Sequence, residues 1–321
     1  MPGTEKNSNH FICPSTRKFF QESRTNPNHS FGDFIHGYIY GRWIYLYIGV
    51  AKGRHPLTKI LGPLFNFFKL LFPKPKIDSQ NSTPANNAKI TFADGYHGKV
   101  LPLEKASKLI TVNKPINMPD LEQVIPYKRA RDIILENPDH IAVLKCPCRA
   151  AHEKPCQPED VCLAIGEPFA SFIVEHHPDK ARWVTQQEAV AIVEAEEDRG
   201  HVHHAFFKDA MLDRFYAICN CCSCCCGAIN AHKNGTPMLA SSGYVSEVNH
   251  DLCIGCGICS DFCQFDAIRM IDGLSNVDFE KCMGCGVCES KCEQEAIILK
   301  RDPAKGEPLD ICALQNETRT D

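Results

Sequence analysis

Two runs of cysteine mark where this chain could do chemistry. Cys253-Ile-Gly-Cys256-Gly-Ile-Cys259-Ser-Asp-Phe-Cys263 and Cys282-Met-Gly-Cys285-Gly-Val-Cys288-Glu-Ser-Lys-Cys292 are each C-x2-C-x2-C-x3-C. The halves repeat in register. Every cysteine of the first recurs in the second at one constant offset, and so do Val248/Val277, Gly255/Gly284, Gly257/Gly286, Ala267/Ala296 and Ile268/Ile297. Thiolates are soft ligands, suited to zinc or to iron–sulfur clusters. A four-thiolate zinc site uses two C-x2-C pairs. Two runs of four at a fixed offset exceed that need and point to iron–sulfur chemistry. Glycines between the ligands let backbone N–H groups come close where a side chain would intrude. The pairs Ala267-Ile268 and Ala296-Ile297 are suited to shielding a cluster from water.

These residues resemble the bacterial 2[4Fe–4S] ferredoxin family over about residues 246–300. In that pattern three thiolates of each run hold one corner of a cube and the fourth crosses to the other cube. One [4Fe–4S] cluster is then expected on Cys253, Cys256, Cys259 and Cys292, the other on Cys282, Cys285, Cys288 and Cys263. The resemblance implies a ββα-type pseudo-twofold fold and one-electron transfer between neighbouring cubes. The family usually carries proline after the fourth cysteine, whereas Gln264 and Glu293 stand there in this chain.

A second constellation is less regular. Cys146, Cys148, Cys156 and Cys162 are spaced C-x-C-x7-C-x5-C. Cys219-Asn-Cys221-Cys222-Ser-Cys224-Cys225-Cys226 follows, so that ten thiols lie between Cys146 and Cys226 inclusive. One expected arrangement gives Cys146, Cys148, Cys156 and Cys162 to one iron–sulfur cube and four of the later thiols (Cys221, Cys222, Cys224 and Cys225) to a second. A single site drawing on both groups is the alternative. Adjacent cysteines diverge along an extended backbone and are not expected to share an iron. Zinc competes here, because the spacings follow no firm iron–sulfur rule. Disulfides are the weaker reading in a reducing compartment. Lys145 and Arg149 place positive charge beside Cys146 and Cys148. That charge either favours thiolates or is merely solvated. His176, His177, His201, His203 and His204 are candidates for metal ligation or proton transfer, or ordinary packed histidines. His201 and His203 fall on one face of a predicted strand and His204 on the other. The sequence holds no P-loop, no G-x-G-x-x-G and no H-E-x-x-H.

Length and composition bound the architecture. The chain has 321 residues, 20 cysteines and a formal charge of −4. That is room for two or three domains, with no electrostatic sign of a nucleic-acid partner. The N-terminus has no apolar core behind its basic residues and is not read as a secretion signal. Residues 1–33 read as a polar, poorly ordered segment with a spare thiol at Cys13. Residues 34–77 contain no acid but seven basic residues and ten aromatics. This balance predicts an interfacial, amphipathic segment at a membrane surface or partner, with a helix within Leu57–Phe72 interrupted by Pro63. No apolar run is long enough to span a bilayer. Residues 78–88 read as a linker.

Residues 89–245 read as a cysteine-rich α/β domain with metal ligands at strand tips. Its expected elements are helices over Leu103–Ile110, Tyr127–Asn137 and Ala189–Glu197, the last after a cap at Thr185-Gln-Gln-Glu188 and stopped at Gly200. Short strands are expected at Ile141–Lys145, His201–Phe207 and Phe215–Cys219. Residues 246–300 form the ferredoxin-like part, and 301–321 a tail with a spare Cys312. The chain as a whole is expected to be α+β: a ferredoxin-like 2[4Fe–4S] module following a cysteine-rich α/β domain and an N-terminal amphipathic segment.

Three functions fit. The first is an electron-transfer protein carrying two [4Fe–4S] clusters and one or two additional Fe–S clusters. It would serve redox partner proteins in the cytoplasm, at the inner face of the cell membrane or on a membrane complex. The second is an iron–sulfur oxidoreductase with a substrate-binding cluster in residues 146–226. The third is a ferredoxin fused to a zinc-stabilised interaction module. The carrier reading is preferred over the enzyme.

Overall fold

The computed structural model describes residues 12–55 and 91–317. The expected linker at 78–88 and the expected helix within 57–72 lie outside the described residues. Three helices come first: α1 (Pro14–Thr25), α2 (Phe31–Arg42) and α3 (Ile44–Ala51). Pro14 opens α1, at a position whose N–H needs no partner. Ser30 and Asp33 close a reciprocal capping box on α2, which satisfies two donors at the helix start.

These helices correct the picture of a loose N-terminus. Phe19 is 1 % exposed and meets Phe34, Phe169 and Phe172 edge-to-face at 5.3–6.0 Å. Glu22 on α1 pairs with the buried Arg214 at 2.8 Å, and Ser15 donates to Glu175. The aromatics that suggested an interface are partly core. Phe34, Tyr40 and Ile44 are buried, while Phe31, Ile35, Ile39, Trp43 and Leu46 face outward. Among the described residues no helix is long and apolar enough to cross a membrane.

The middle of the chain forms a seven-stranded sheet. Its strands are β1 (Tyr96–Leu101), β4 (Ile141–Lys145), β5 (Asp160–Ile165), β6 (Ala181–Val184), β7 (Val202–Lys208), β8 (Arg214–Cys221) and β9 (Leu239–Ala240), in the order β6-β4-β5-β8-β7-β1-β9. All pairings are antiparallel except β1/β9. The mixed helix-and-sheet domain is thus built on an almost wholly antiparallel sheet. The end of β4, the start of β5 and the end of β8 lie together because the strands alternate in direction. Antiparallel order therefore brings the cysteine segments to one edge without parallel crossovers.

Each strand sorts its residues by alternation. Leu163, Ala205, Phe207 and Ile218 point to one face, covered by the helices Leu103–Ile110 and Gln186–Asp198. Val202, Phe206, Ala217 and Cys221 point to the other, covered by α1–α3. Thr185 caps the helix Gln186–Asp198 through its hydroxyl, and Gly200 takes φ 78° after it.

Two expectations differ from the structure. Residues 127–137 are not helical: Ile133–Leu135 is a strand, β3, pairing with β2 (Ile116–Met118). Ala130 and Asn137 have positive φ values of 53° and 50°. Such left-handed residues interrupt any right-handed helix. Ile133 and Leu135 bury with period two. Nor does the chain after residue 301 hang free. Leu309 and Ile311 are buried, Lys105 pairs with Asp310 at 2.5 Å, and the buried Lys99 donates to the Glu307 carbonyl. A helix, Ile311–Glu317, follows.

Gly37 is where α2 meets the sheet most closely. A Cβ there would sit 2.0 Å from the Ala210 carbonyl oxygen. Gly37→Ala is expected to destabilise the protein by about 1–3 kcal/mol, as overpacking does, seen as a lower urea midpoint. An unchanged midpoint would mean that α2 does not seat on the sheet in this way.

Candidate metal centres

Residues 244–301 build the first pair of centres. β10 (Tyr244–Val248) pairs with β13 (Ile297–Arg301), and β11 (Ile268–Ile271) with β12 (Leu274–Val277), both antiparallel. Short helices, Ile258–Asp261 and Val287–Ser290, follow Gly257 and Gly286, which take φ 78° and 88°. Cys253, Cys256, Cys259 and Cys292 surround one cavity, closed by Ile254, Ile258 and Ile297. Cys263 lies instead among Cys282, Cys285 and Cys288. Gly284 cannot carry a side chain, because a Cβ would stand 2.1 Å from the Tyr244 carbonyl oxygen. The N–H groups of Ala267 and Ala296 donate to Cys263 and Cys292 Sγ at 3.2 and 3.3 Å.

Burial pushes the Cys288 thiol up to about 12 and Cys285 well above its ordinary range. A positive core is what holds such thiols ionised. Spacing, cavity and N–H···S bonds all fit iron–sulfur cubes, which draw charge from thiolate ligands and tune potential through such bonds.

The second constellation divides in a way that spacing alone did not suggest. Cys146 directly follows β4, Cys148 lies in the short helix Pro147–Ala150 after it, Cys162 lies on β5, Cys219 and Cys221 lie on β8, and Cys226 stands at the start of the helix Gly227–Lys233. These six, together with Cys222 and Cys225, line one cavity of about 80 Å³. That is several times the roughly 10–15 Å³ that one water requires. Its other walls include Tyr40, Ile44, Tyr96, Phe169 and Tyr216. Tyr40 and Tyr216 hydroxyls are 2.9 Å apart.

Cys156, Cys222, Cys224 and Cys225 form a separate group whose sulfurs all lie within 4.8 Å of one another. The expected sets Cys146/Cys148/Cys156/Cys162 and Cys221/Cys222/Cys224/Cys225 are therefore each split. The pleat of β8 aims Cys219 and Cys221 one way. The chain then turns after Cys222. Cys224 and Cys225 come within 3.7 Å of each other, contrary to the expected divergence, because that rule holds only for extended backbone.

Proximity to Cys146 and burial push Cys148 well above the usual thiol range, and proximity to Cys226 does the same to Cys221. Cys226 is the one drawn down, to about 7, by its bond with Cys221, the N–H groups of Ile229 and Ala228, and Lys52.

Residues 246–269 and 276–298 each match the family of 4Fe-4S binding domains. The C-terminal part is a ferredoxin-type 2[4Fe–4S] module. Its two motifs mean two [4Fe–4S] clusters, and the chain is an iron–sulfur electron-transfer protein. No curated protein and no solved structure matches it.

The module's departure from the ferredoxin pattern has a physical use. Gln264 stands where proline is usual. Its side chain accepts from Ser223 N at 2.8 Å and donates to the Gly200 carbonyl at 2.9 Å. A proline could make neither bond, so Gln264 ties the module to the cysteine turn.

Arg149 is neither a solvated base nor a simple charge beside sulfur. It is 1 % exposed and pairs with Glu196, itself fully buried. Further bonds reach the Pro158 and Asn220 carbonyls. Burial alone would raise the Glu196 carboxyl, but bonds from His201 and the Arg149 charge outweigh it and hold the pKa low. Arg149 thereby joins the three segments that carry cysteines. Lys145 is half exposed and pairs with Glu159.

Four of the five histidines are engaged by neighbouring side chains or carbonyls, while both ring nitrogens of His204 are buried without a hydrogen-bond partner among the described residues. His201 bonds Glu196, and His203 bonds Asn220 and Glu197. His176 bonds Thr16, and His177 the Gly41 carbonyl. His204 is buried and faces Phe206 and Phe265.

Sequence reasoning missed Cys219, Cys226, Lys52 and the three tyrosines. The strand expected at Phe215–Cys219 runs on to Cys221, and that extension puts Cys219 and Cys221, two apart, on one face. Lys52 is one of the seven basic residues that suggested an interfacial segment. Its ammonium instead donates to the carbonyls of Cys148 and Cys225 and clamps both cysteine loops. Removing one partner of a buried ion pair strands the other charge. Arg149→Met is expected to cost about 3 kcal/mol or more, read as an earlier unfolding midpoint with reduced metal content. Unchanged stability would remove Arg149 as the joint.

Proposed function

We propose that the protein relays single electrons between a soluble redox partner and a further iron–sulfur cluster held in the cavity ringed by Cys146, Cys148, Cys162, Cys219, Cys221 and Cys226. The two clusters of the ferredoxin module form the intervening steps. One observation carries this reading. A continuous apolar core runs from Cys282, Cys263 and Cys285 through Phe265, Ala228 and Ile229 to Cys221 and Cys226. The crossed set Cys282, Cys285, Cys288 and Cys263 is thus the inner station. Cys253, Cys256, Cys259 and Cys292 form the outer one, where Cys256 and Ile254 face solvent and a partner.

The cluster supplies the redox chemistry. The chain supplies burial and bonds to sulfur. The Ser246 and Ser275 hydroxyls lie 3.0 and 3.2 Å from Cys288 and Cys259 Sγ. Hydrogen bonds to sulfur are among the levers on cluster potential.

A second reading, reduction of a bound small molecule, is favoured by one feature. Six thiols exceed the four that a cube uses, and Tyr40 and Tyr216 bring hydroxyls to the same space.

Anaerobic purification and metal analysis test the relay. About twelve iron atoms per chain are expected, three cubes of four. A Cys162→Ala/Cys219→Ala variant should lose about four of them while the ferredoxin EPR signals persist. About eight iron in the unaltered protein would sink the third cluster. Carbon monoxide separates the two readings: a shifted EPR signal marks an iron open to a ligand, whereas no shift leaves the relay alone.

A further inference from the structure

Cys156, Cys222, Cys224 and Cys225 stand apart from the other thiols by their spacing. Their sulfurs are 3.0 Å (Cys156–Cys224), 3.1 Å (Cys222–Cys224), 3.6 Å (Cys156–Cys222) and 3.7 Å (Cys156–Cys225 and Cys224–Cys225) apart. Four thiolates at about 2.3 Å from one tetrahedral ion are separated by about 3.8 Å, the edge of that tetrahedron. In a cube each thiolate sits on its own iron, so the width of the cube drives the sulfurs further apart. The same chain holds the comparison. Among the described residues no three of the eight ferredoxin thiols lie within 4.8 Å of one another, and neither do any three of the six cavity thiols.

We propose that Cys156, Cys222, Cys224 and Cys225 bind a single tetrahedral zinc ion rather than an iron–sulfur cube. Four thiolates close the coordination shell, as in structural zinc sites. Zinc also binds such donors more tightly than ferrous iron does. The ion needs four ionised thiols, and binding releases their protons.

Its position defines its work. Cys156 comes from the loop that leads into β5, and the other three come from the turn that leaves β8. The ion clasps loop to turn directly beside the cavity, where Cys222 and Cys225 also form part of the wall. The clasped turn is the one that Lys52 holds at the Cys225 carbonyl and Gln264 holds at Ser223 N. Zinc thus fixes the surface on which the ferredoxin module docks. Having no redox state of its own, it carries no electrons. This inference is independent of whether the neighbouring cavity holds a cluster.

The test uses the full-length protein, purified anaerobically after growth with both iron and zinc. About one zinc per chain is expected, and its X-ray absorption should show a shell of four sulfurs at about 2.3 Å with no iron neighbour. Cys224→Ser, at an exposed position, should lose that zinc and leave the iron count and the ferredoxin EPR signals unchanged. Unaltered protein with no zinc would overturn the proposal. So would loss of iron from the Cys224→Ser protein, or an iron neighbour in the absorption spectrum. The absorption spectrum of the unaltered protein decides the matter even if the variant fails to fold.

Discussion

Ten thiols share one edge of one sheet, and that crowding is the constraint from which the rest follows. Ionised sulfurs repel, and burial makes each bare charge costlier. Cys148 and Cys221 are held well above the ordinary thiol range. The neighbouring bases relieve this only in part, Lys52 helping to draw Cys226 down. Arg149 is engaged by Glu196, and Lys52 directs its ammonium to two carbonyls. A metal ion or cluster, as proposed above for this domain, would supply the counter-charge these thiols lack.

That frame works by sorting. β8 faces Cys219 and Cys221 toward the helical layer, while Asn220 between them turns to the opposite face. There Asn220 bonds His203 and the Val161 carbonyl, locking the strand to its neighbours. Beyond the strand the turn redirects Cys222, Cys224 and Cys225 to Cys156. One short stretch, Cys219 to Cys226, thus contributes to two thiol groups because its backbone changes character half-way. Gln264 then registers the ferredoxin module against that same turn.

The ferredoxin module was legible because its ligands are close in sequence and its repeat holds residue for residue. Strands such as Ile141–Lys145, and the helix Leu103–Ile110, were legible from local periodicity. What stayed hidden depends on distance along the chain. Cys156 meets Cys224 across 68 positions, and no spacing rule reaches that far. Tyr127–Asn137 misled because its apolar residues suit either period, and left-handed Ala130, inside the stretch, leaves no signature in residue type, while Asn137, a type that favours that conformation, stands only at its end. The aromatic N-terminal segment was legible only by half. Composition suited to a headgroup region also suits the wall of a cavity, and only packing distinguishes the residues that do each. Phe34, Tyr40 and Ile44 face inward, whereas Phe31, Ile35, Ile39, Trp43 and Leu46 face outward.

That wall imposes an order of assembly. Tyr40, Gly41, Ile44 and Ile48 close the thiol-lined cavity from one side, although they come far earlier in the chain than Cys146, the first thiol they cover. Synthesis makes the cover before the vessel. Under the relay proposed above, a cofactor of several iron atoms would have to reach its ligands while α2 and α3 were still undocked. The seated helices would then be the seal of a completed maturation.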